Sequence, residues 1–178
     1  MELELGCGKG TFIAKLAVKN QNKNFLAIDI KSEVLGIAKR NIEKEFEKEN
    51  RKIDNVLITA YEIGIIENIL NEKDEIDRIY INFCNPWPKP RHNKRRLTYT
   101  TYLEKYKKFL KPEGEIWFKT DDEDLFKATK RYLEQTGFKI IKITEDLHSE
   151  NNIENIITEH EEMFSSQGIK IKGIIAKQ

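Results

Sequence analysis

The stretch Glu2-Leu3-Glu4-Leu5-Gly6-Cys7-Gly8-Lys9-Gly10 decides the fold. Four residues that read as a short strand run straight into three glycines at alternate positions, and a helical pattern begins at Thr11. Alternate glycines let the backbone turn tightly and come close to a ligand, and the helix behind them offers its N-terminus at that point. The dinucleotide fingerprint G-x-G-x-x-G is not met, because Thr11 holds its third glycine position. A strand, a glycine turn and a helix in this order open a β-α unit.

The pattern repeats along the chain. Apolar, β-branched runs predict strands over 2–5, 25–30, 55–59, 78–83, 114–120, 138–144 and 170–176. Amphipathic stretches predict helices over 11–19, 32–49, 63–70, 100–109, 123–135 and 159–166. Ser32 is placed as an N-cap, with Leu35, Ala38, Ile42 and Phe46 recurring behind it at helical spacing. Pro112–Gly114 and Gly137 punctuate helix ends before strands. Strict alternation implies an α/β fold: a mostly parallel seven-stranded sheet with helices on both faces. Only the connection before the last strand differs, since it holds a long polar segment. A chain of 178 residues suits one domain, 1–178, with a single core. Ligands of such sheets bind beyond the carboxyl ends of the strands, so chemistry is sought just after each strand.

Composition excludes several classes. No apolar run approaches the ~20 residues that a membrane-spanning helix needs. Met-Glu-Leu-Glu lacks the layout of a signal peptide, and Cys7 and Cys84 alone cannot make a four-cysteine zinc site. We therefore expect a cytoplasmic protein with reduced thiols, no metal and no membrane partner. The 31 basic and 30 acidic residues give a net charge of +1, which hides an uneven distribution. Between residues 78 and 103 stand Arg78, Lys89, Arg91, Lys94, Arg95 and Arg96, with no acid among them. Between 143 and 169 stand Glu145, Asp146, Glu150, Glu154, Glu159, Glu161 and Glu162, with no Lys or Arg. A protein neutral on average thus carries two opposed local fields.

The glycine loop with Glu4 just ahead of it resembles motif I of the class I, Rossmann-like methyltransferases, which bind S-adenosylmethionine. An acid suits the positively charged amino acid end of that cofactor better than a pyrophosphate. Asp29, at the end of the second strand and 19 residues after Gly10, stands at the distance usual for a carboxylate that takes both ribose hydroxyls. Glu62, after the third strand, has two readings: an adenine contact, or an acid favoured by a helix dipole. The expected cofactor site is Glu4, Gly6, Cys7, Gly8, Gly10, Asp29, Glu62 and Asn85.

After the fourth strand comes Cys84-Asn85-Pro86-Trp87-Pro88-Lys89-Pro90-Arg91-His92-Asn93-Lys94-Arg95-Arg96-Leu97. Five cations and His92 within eight positions, behind a stiff Pro-Trp-Pro turn, form a compact phosphate-binding surface. Trp87 is read as packing this loop in preference to stacking on a base. With Asn82-Phe83 ahead of it, the segment resembles the N-F-x-D-P-W-P-K-x-R-H-x-K-R-R-L signature of the tRNA (guanine-N7) methyltransferases, the bacterial TrmB family. Phe118-Lys119-Thr120-Asp121 and Thr158-Glu159-His160-Glu161 resemble that family's F-x-T-D and T-E-Y-E motifs.

The resemblance implies methyl transfer from S-adenosylmethionine to N7 of a tRNA guanosine, at position 46 of the variable loop, with tRNA as partner. It implies Asn85 as the catalytic position. Arg91, His92, Lys94, Arg95 and Arg96 fall on the RNA backbone; Lys89, Asp121, Thr158, Glu159, His160 and Glu161 fall on the substrate. Carboxylates at Asp121, Glu159 and Glu161 suit the N1–H and N2–H donors of guanine, and Thr158 adds a hydroxyl. Glu145, Asp146, Glu150, Glu154 and Glu162 are expected to be solvated.

Three departures stand against the family pattern. Asn85 replaces its usual Asp, keeping a carbonyl acceptor but losing the charge. His160 replaces Tyr. Family members carry a few dozen residues ahead of the first strand, which here begins at Glu2, so the single domain is expected to lack that segment. Asn-Pro-Trp is also similar to the Asn-Pro-Pro-aromatic motif of methyltransferases that act on exocyclic amines, which gives one alternative. A tRNA-binding module with weakened turnover is the other. Monomer and homodimer are both left open.

Overall fold

The computed structural model describes residues 1–150 and 155–178. Twelve regular elements follow in order: β1 (Glu2–Leu5), α1 (Thr11–Lys19), β2 (Phe25–Asp29), α2 (Ser32–Lys48), β3 (Val56–Ala60), β4 (Ile76–Asn82), α3 (Thr100–Tyr106), β5 (Leu110–Thr120), α4 (Glu123–Gln135), β6 (Lys139–Thr144), α5 (Glu159–Ser166) and β7 (Lys172–Lys177). The strands form one sheet in the order β3-β2-β1-β4-β5-β7-β6. β1 runs parallel to both its neighbours, and β4 runs parallel to β5. β7 lies antiparallel between β5 and β6. The order reverses between β1 and β4, which places a crevice beyond the carboxyl ends of those two strands.

Alternation along the central strands builds a core on each face. Leu3 and Leu5 of β1 join Ile79 and Ile81 of β4 and Phe118 of β5 against α3 and α4. Tyr80 of β4 faces the other way, into a cluster with Phe12, Ile13, Leu16, Ala17, Ile42 and Phe46 of α1 and α2. Glu2 and Glu4 occupy the same face as Tyr80, where burial of a carboxylate demands a partner. For Glu2 the partners are the Lys23 ammonium at 2.6 Å and the Tyr80 hydroxyl at 2.7 Å. α1 and α2 pack closely at Gly10, where an added Cβ would fall 2.8 Å from the Ala38 Cβ.

Several local expectations are corrected. Lys31, not Ser32, is the N-cap of α2, and it makes no side-chain cap bond. The helix expected over 63–70 is a 3-10 turn, Ile63–Asn68, broken at Ile65. Its buried residues, Ile63 and Ile66, are three apart, which fits three residues per turn better than an amphipathic α-helix. β5 starts at Leu110, which pairs with Ile76; the ladder then shifts before Arg78 pairs with Glu115. Pro112–Gly114 therefore lies in that irregularity, within the strand, and Glu113 turns it at φ 63°. Among the described residues no helix is long and apolar enough to cross a membrane.

Candidate active site

The three loop glycines all need a left-handed backbone, with φ 77° at Gly6, 51° at Gly8 and 68° at Gly10. Asp29, where β2 ends, fixes the loop from below. Its Oδ2 accepts from the Gly8 N–H at 2.8 Å and its Oδ1 from the Lys31 N–H at 2.9 Å. Two backbone donors thus orient a carboxylate that remains partly exposed. Glu4 is 2% exposed; its Oε1 accepts from Asn82 Nδ2 at 3.3 Å. Its Oε2 is buried with no hydrogen-bond partner among the described residues. Burial, aided by the Asp29 charge, pushes the Glu4 carboxyl up to about 8, although Asn82 and Lys119 pull the other way. A buried acceptor without a donor, under a glycine turn, fits an ammonium such as the one S-adenosylmethionine carries.

Cys7 lines the same turn and is buried; burial first, then Glu4 and Asp29, hold its thiol protonated. Glu62 is exposed and caps the 3-10 turn, its Oε1 accepting from the Gly64 N–H at 3.0 Å. The helix-start reading of this residue describes that bond.

Beyond β4 the chain turns sharply, with Phe83 at φ 51° and Trp87 at φ 44°. Asn85 is exposed, and its Oδ1 accepts from the Trp87 N–H at 3.0 Å, closing an Asx turn. The Trp87 indole packs the loop: His92 meets it edge-on at 5.6 Å and the Arg95 guanidinium lies 5.1 Å over its ring. Lys89, Arg91, Lys94 and Arg95 are exposed and His92 is half-buried, along the 3-10 turn Pro90–Arg95. Arg96 is a correction. It is 5% exposed, and its Nε donates to the Pro86 carbonyl at 2.7 Å while Nη2 donates to that of Trp87 at 3.3 Å. A guanidinium turned inward to hold the loop is not presented to RNA phosphates.

The acidic segment divides in the same way. Thr158 is the N-cap of α5, its Oγ1 accepting from the Glu161 N–H at 3.1 Å in a capping box. Glu161 is fully buried and bonds Lys119 Nζ at 2.9 Å, His148 Nε2 at 2.7 Å and Asn155 Nδ2. Both were expected at the base; in this arrangement they build the start of α5. Glu159 and His160 are exposed on the first turn of α5. Glu159 Oε2 lies 3.1 Å from Lys9 Nζ of the glycine loop, and the His160 ring stacks on Phe83 at 5.8 Å. Lys15 of α1 donates to the Ile157 carbonyl at 3.1 Å. Asp121 follows β5 half-buried, its carboxylate unpaired among the described residues. Glu145, Glu150 and Glu162 are exposed, Asp146 pairs with Lys170 at 3.5 Å, and Glu154 lies outside the described residues.

Lys119 is the residue that sequence reasoning missed. Its Nζ holds Asn155 Oδ1, the Ile156 carbonyl and Glu161 together. A lysine set between Phe118 and Thr120 in an apolar strand was the available signal, because a charge there must be paired. Among the described residues no group of three or more His, Cys, Asp or Glu could hold a metal ion.

A glycine turn after β1, a carboxylate closing β2 and a sheet with β7 antiparallel between β5 and β6 define a class I S-adenosylmethionine-dependent methyltransferase. Solved structures share that fold. An antibiotic-related methyltransferase aligns at TM-score 0.68 and 20% identity, covering 99% of this chain and 86% of that one. The N-methyltransferase NodS of Bradyrhizobium japonicum WM9, in complex with S-adenosyl-L-homocysteine, aligns at TM-score 0.63 and 14% identity, covering 99% and 76%. Residues 1–174 match a family model described as "Putative methyltransferase". The tRNA (guanine-N(7)-)-methyltransferase of Clostridium beijerinckii is 62% identical over 174 residues, 98% of this chain and 80% of that protein. Its namesake from Acetivibrio thermocellus is 53% identical over 176 residues, 99% and 81% of the two chains. The chain belongs to the tRNA (guanine-N7-)-methyltransferase family, as the motifs after β4 and at α5 imply.

Proposed function

We propose that this chain, as one methyltransferase domain over residues 1–178, transfers methyl from S-adenosylmethionine to N7 of guanosine 46 in the tRNA variable loop, in the cytoplasm. The observation that carries the reading is the Lys9–Glu159 contact, which brings the first turn of α5 against the glycine loop. Cofactor and base are then read by neighbouring parts of one crevice.

The cofactor supplies an electrophilic methyl on a sulfonium. Glu4 would accept from its ammonium and Asp29 from the ribose hydroxyls, while Glu62, whose Oε1 caps the 3-10 turn, would stand at the adenine end. Guanine N7 already carries a lone pair and no proton, so no residue is needed as a base, and the protein's work is alignment. Asp121 and Glu159 accept from N1–H and N2–H, which become more acidic as positive charge reaches the purine. The same carboxylates repel the acceptor N1 of adenine. Lys89, Arg91, His92, Lys94 and Arg95 hold the RNA backbone, and Asn85 positions the reacting groups at the head of that loop. Incubation with labelled cofactor and unmodified tRNA, followed by nucleoside analysis, is expected to give 7-methylguanosine. Label at N6 of adenine or N2 of guanine would replace this reading with exocyclic-amine methylation.

A further inference from the structure

Phe83 follows β4 in a conformation that a bulky side chain rarely takes, φ 51°. Its N–H donates to the Lys119 carbonyl of β5 at 2.9 Å, which pins this left-handed turn at the carboxyl ends of both strands. Core packing does not offset the strain, because Phe83 is half-buried and belongs to neither of the two apolar clusters that cover the sheet. Its ring lies against α5 instead. The His160 imidazole stacks on it, with 16° between the planes and 5.8 Å between the centroids. Strain kept at the mouth of a crevice, without a core contact to hold it, points to a use for the ring.

Phe164, one turn further along α5, completes a cluster of three rings, 6.1 Å from Phe83 and 6.2 Å from His160. The three separations are nearly equal, so Phe164 sits beside the stacked pair and leaves the outer face of His160 open. His160 is exposed, and its ring nitrogens make no hydrogen bond among the described residues. Stacking alone orients it. It stands on the turn of α5 whose Glu159 reaches Lys9 of the glycine loop.

Resting on N7 methylation as the reaction, we propose that the outer face of His160 is the stacking surface for the target guanine, with Phe83 and Phe164 holding the imidazole from behind. An enzyme that works on a base takes it out of its stack, and an aromatic face replaces the neighbours it loses. Carboxylates grip only the N1–H and N2–H edge of guanine, about which the ring can still tilt. The lone pair of N7 lies in the ring plane, so the sulfonium methyl must approach in that plane. The bond from N7 to the methyl carbon forms as the carbon–sulfur bond breaks, and sulfur keeps the electron pair. A stacking face fixes the tilt of the base and with it the line of this attack. His160 therefore touches the substrate, and Phe83 is a positioning residue.

His160→Ala removes the face, His160→Leu keeps bulk without a flat ring, and His160→Tyr restores the ring. Single-turnover methylation of saturating, unmodified tRNA is expected to slow about 5–150-fold in the Ala and Leu proteins and to recover in the Tyr protein. Phe83→Leu, which leaves the imidazole unsupported, is expected to fall between. His160 is exposed, so its variants keep the fold and their affinity for S-adenosylhomocysteine, which circular dichroism and calorimetry verify. A second readout uses tRNA with thienoguanosine, a fluorescent analogue that retains N1–H and N2–H, in place of guanosine 46. Binding is expected to quench it on the wild type and the Tyr protein and to leave it bright on the Ala protein. A wild type that leaves the analogue bright overturns the proposal, as does an Ala or Leu protein that matches the wild-type rate, or a Tyr protein no faster than Ala. The quench reads the base without methyl transfer. A wild type that quenches the analogue yet yields no 7-methylguanosine would uphold the stacking and sink only the functional reading.

Discussion

Lys119 on β5 and Glu161 on α5 form a buried ion pair, Nζ to Oε2 2.9 Å, with side chains 10% and 0% exposed. The pair fixes the start of α5, and with it Glu159, beside the carboxyl end of β5. Removing one partner strands the other in a dry site, so Glu161→Gln is expected to lose roughly 3 kcal/mol of folding stability. Lys119→Met combined with Glu161→Leu should recover most of that. Urea unfolding of the three proteins measures it, and a loss below about 1 kcal/mol for Glu161→Gln would show the pair to be screened.

The same pair sets an acid limit. Burial alone would raise the Glu161 carboxyl, but the Lys119 charge and the bonds from Lys119, Asn155 and His148 outweigh it and hold it below the ordinary 4.5. A depressed carboxyl contributes stability that is complete above its unfolded value and is lost as pH falls through its folded one. The stability difference between wild type and Glu161→Gln should therefore be flat above pH 4.5 and shrink below it. A difference still constant well below that pH would mean that Glu161 is not ionised in the fold.

Glu4 has the opposite sign. Its carboxyl is raised to about 8, so its contribution to stability is present below 4.5 and is lost as pH rises through about 8. At neutral pH it is protonated in the free protein, and a cofactor ammonium at its unpartnered Oε2 would favour the ionised form. Binding of S-adenosylhomocysteine is expected to release a proton below about pH 8 and to tighten as pH approaches that value. Calorimetry in two buffers of different ionisation enthalpy measures the release. Glu4→Gln should abolish it and weaken binding by roughly 10–100-fold, the worth of about 1.5–3 kcal/mol for a charge-assisted bond.

What the sequence made legible was local. The glycine turn, Asp29 at the end of β2 and the cations behind Pro-Trp-Pro are each contained in one short stretch, and chemistry follows from spacing alone. Lys119 and Glu161 are 42 positions apart, and only the insertion of antiparallel β7 beside β5 brings α5 back over the carboxyl end. A charged residue in a motif reads as a ligand contact until the packing shows which way it points. Arg96 and Glu161 both sit in motifs beside residues that remain exposed, and both turn inward. The irregular start of β5 is the same kind of miss, since Pro112–Gly114 has the composition of a turn between elements.

Arg95 and Arg96, adjacent in the chain, should separate in a salt titration. Arg95 is exposed over Trp87, so Arg95→Ala is expected to weaken all tRNAs alike and reduce the log–log salt slope by about 1. Arg96 bonds the carbonyls of Pro86 and Trp87 from a buried position. Arg96→Ala should lower the unfolding temperature and impair methyl transfer through a loosened loop. Fluorescence anisotropy with tRNA across a salt series, beside thermal unfolding, measures both. Equal salt slopes for Arg95→Ala and wild type would remove Arg95 from the phosphate contacts.

Asn85 offers a gain-of-function test. Its Oδ1 accepts from the Trp87 N–H at 3.0 Å, a bond that an Asp carboxylate makes equally well, so Asn85→Asp should leave the loop and the unfolding temperature unchanged. The family's Asp adds a negative charge at the head of the basic loop, beside the place where positive charge leaves sulfur for the purine. If that charge stabilises the transition state, kcat for methyl transfer rises while the affinity for S-adenosylhomocysteine stays within about twofold, the former being a transition-state term and the latter a ground-state one. Single-turnover rates with saturating tRNA read the chemical step directly. An unchanged rate would make Asn85 equivalent to the family's Asp, and the weakened-turnover alternative would then lose its ground.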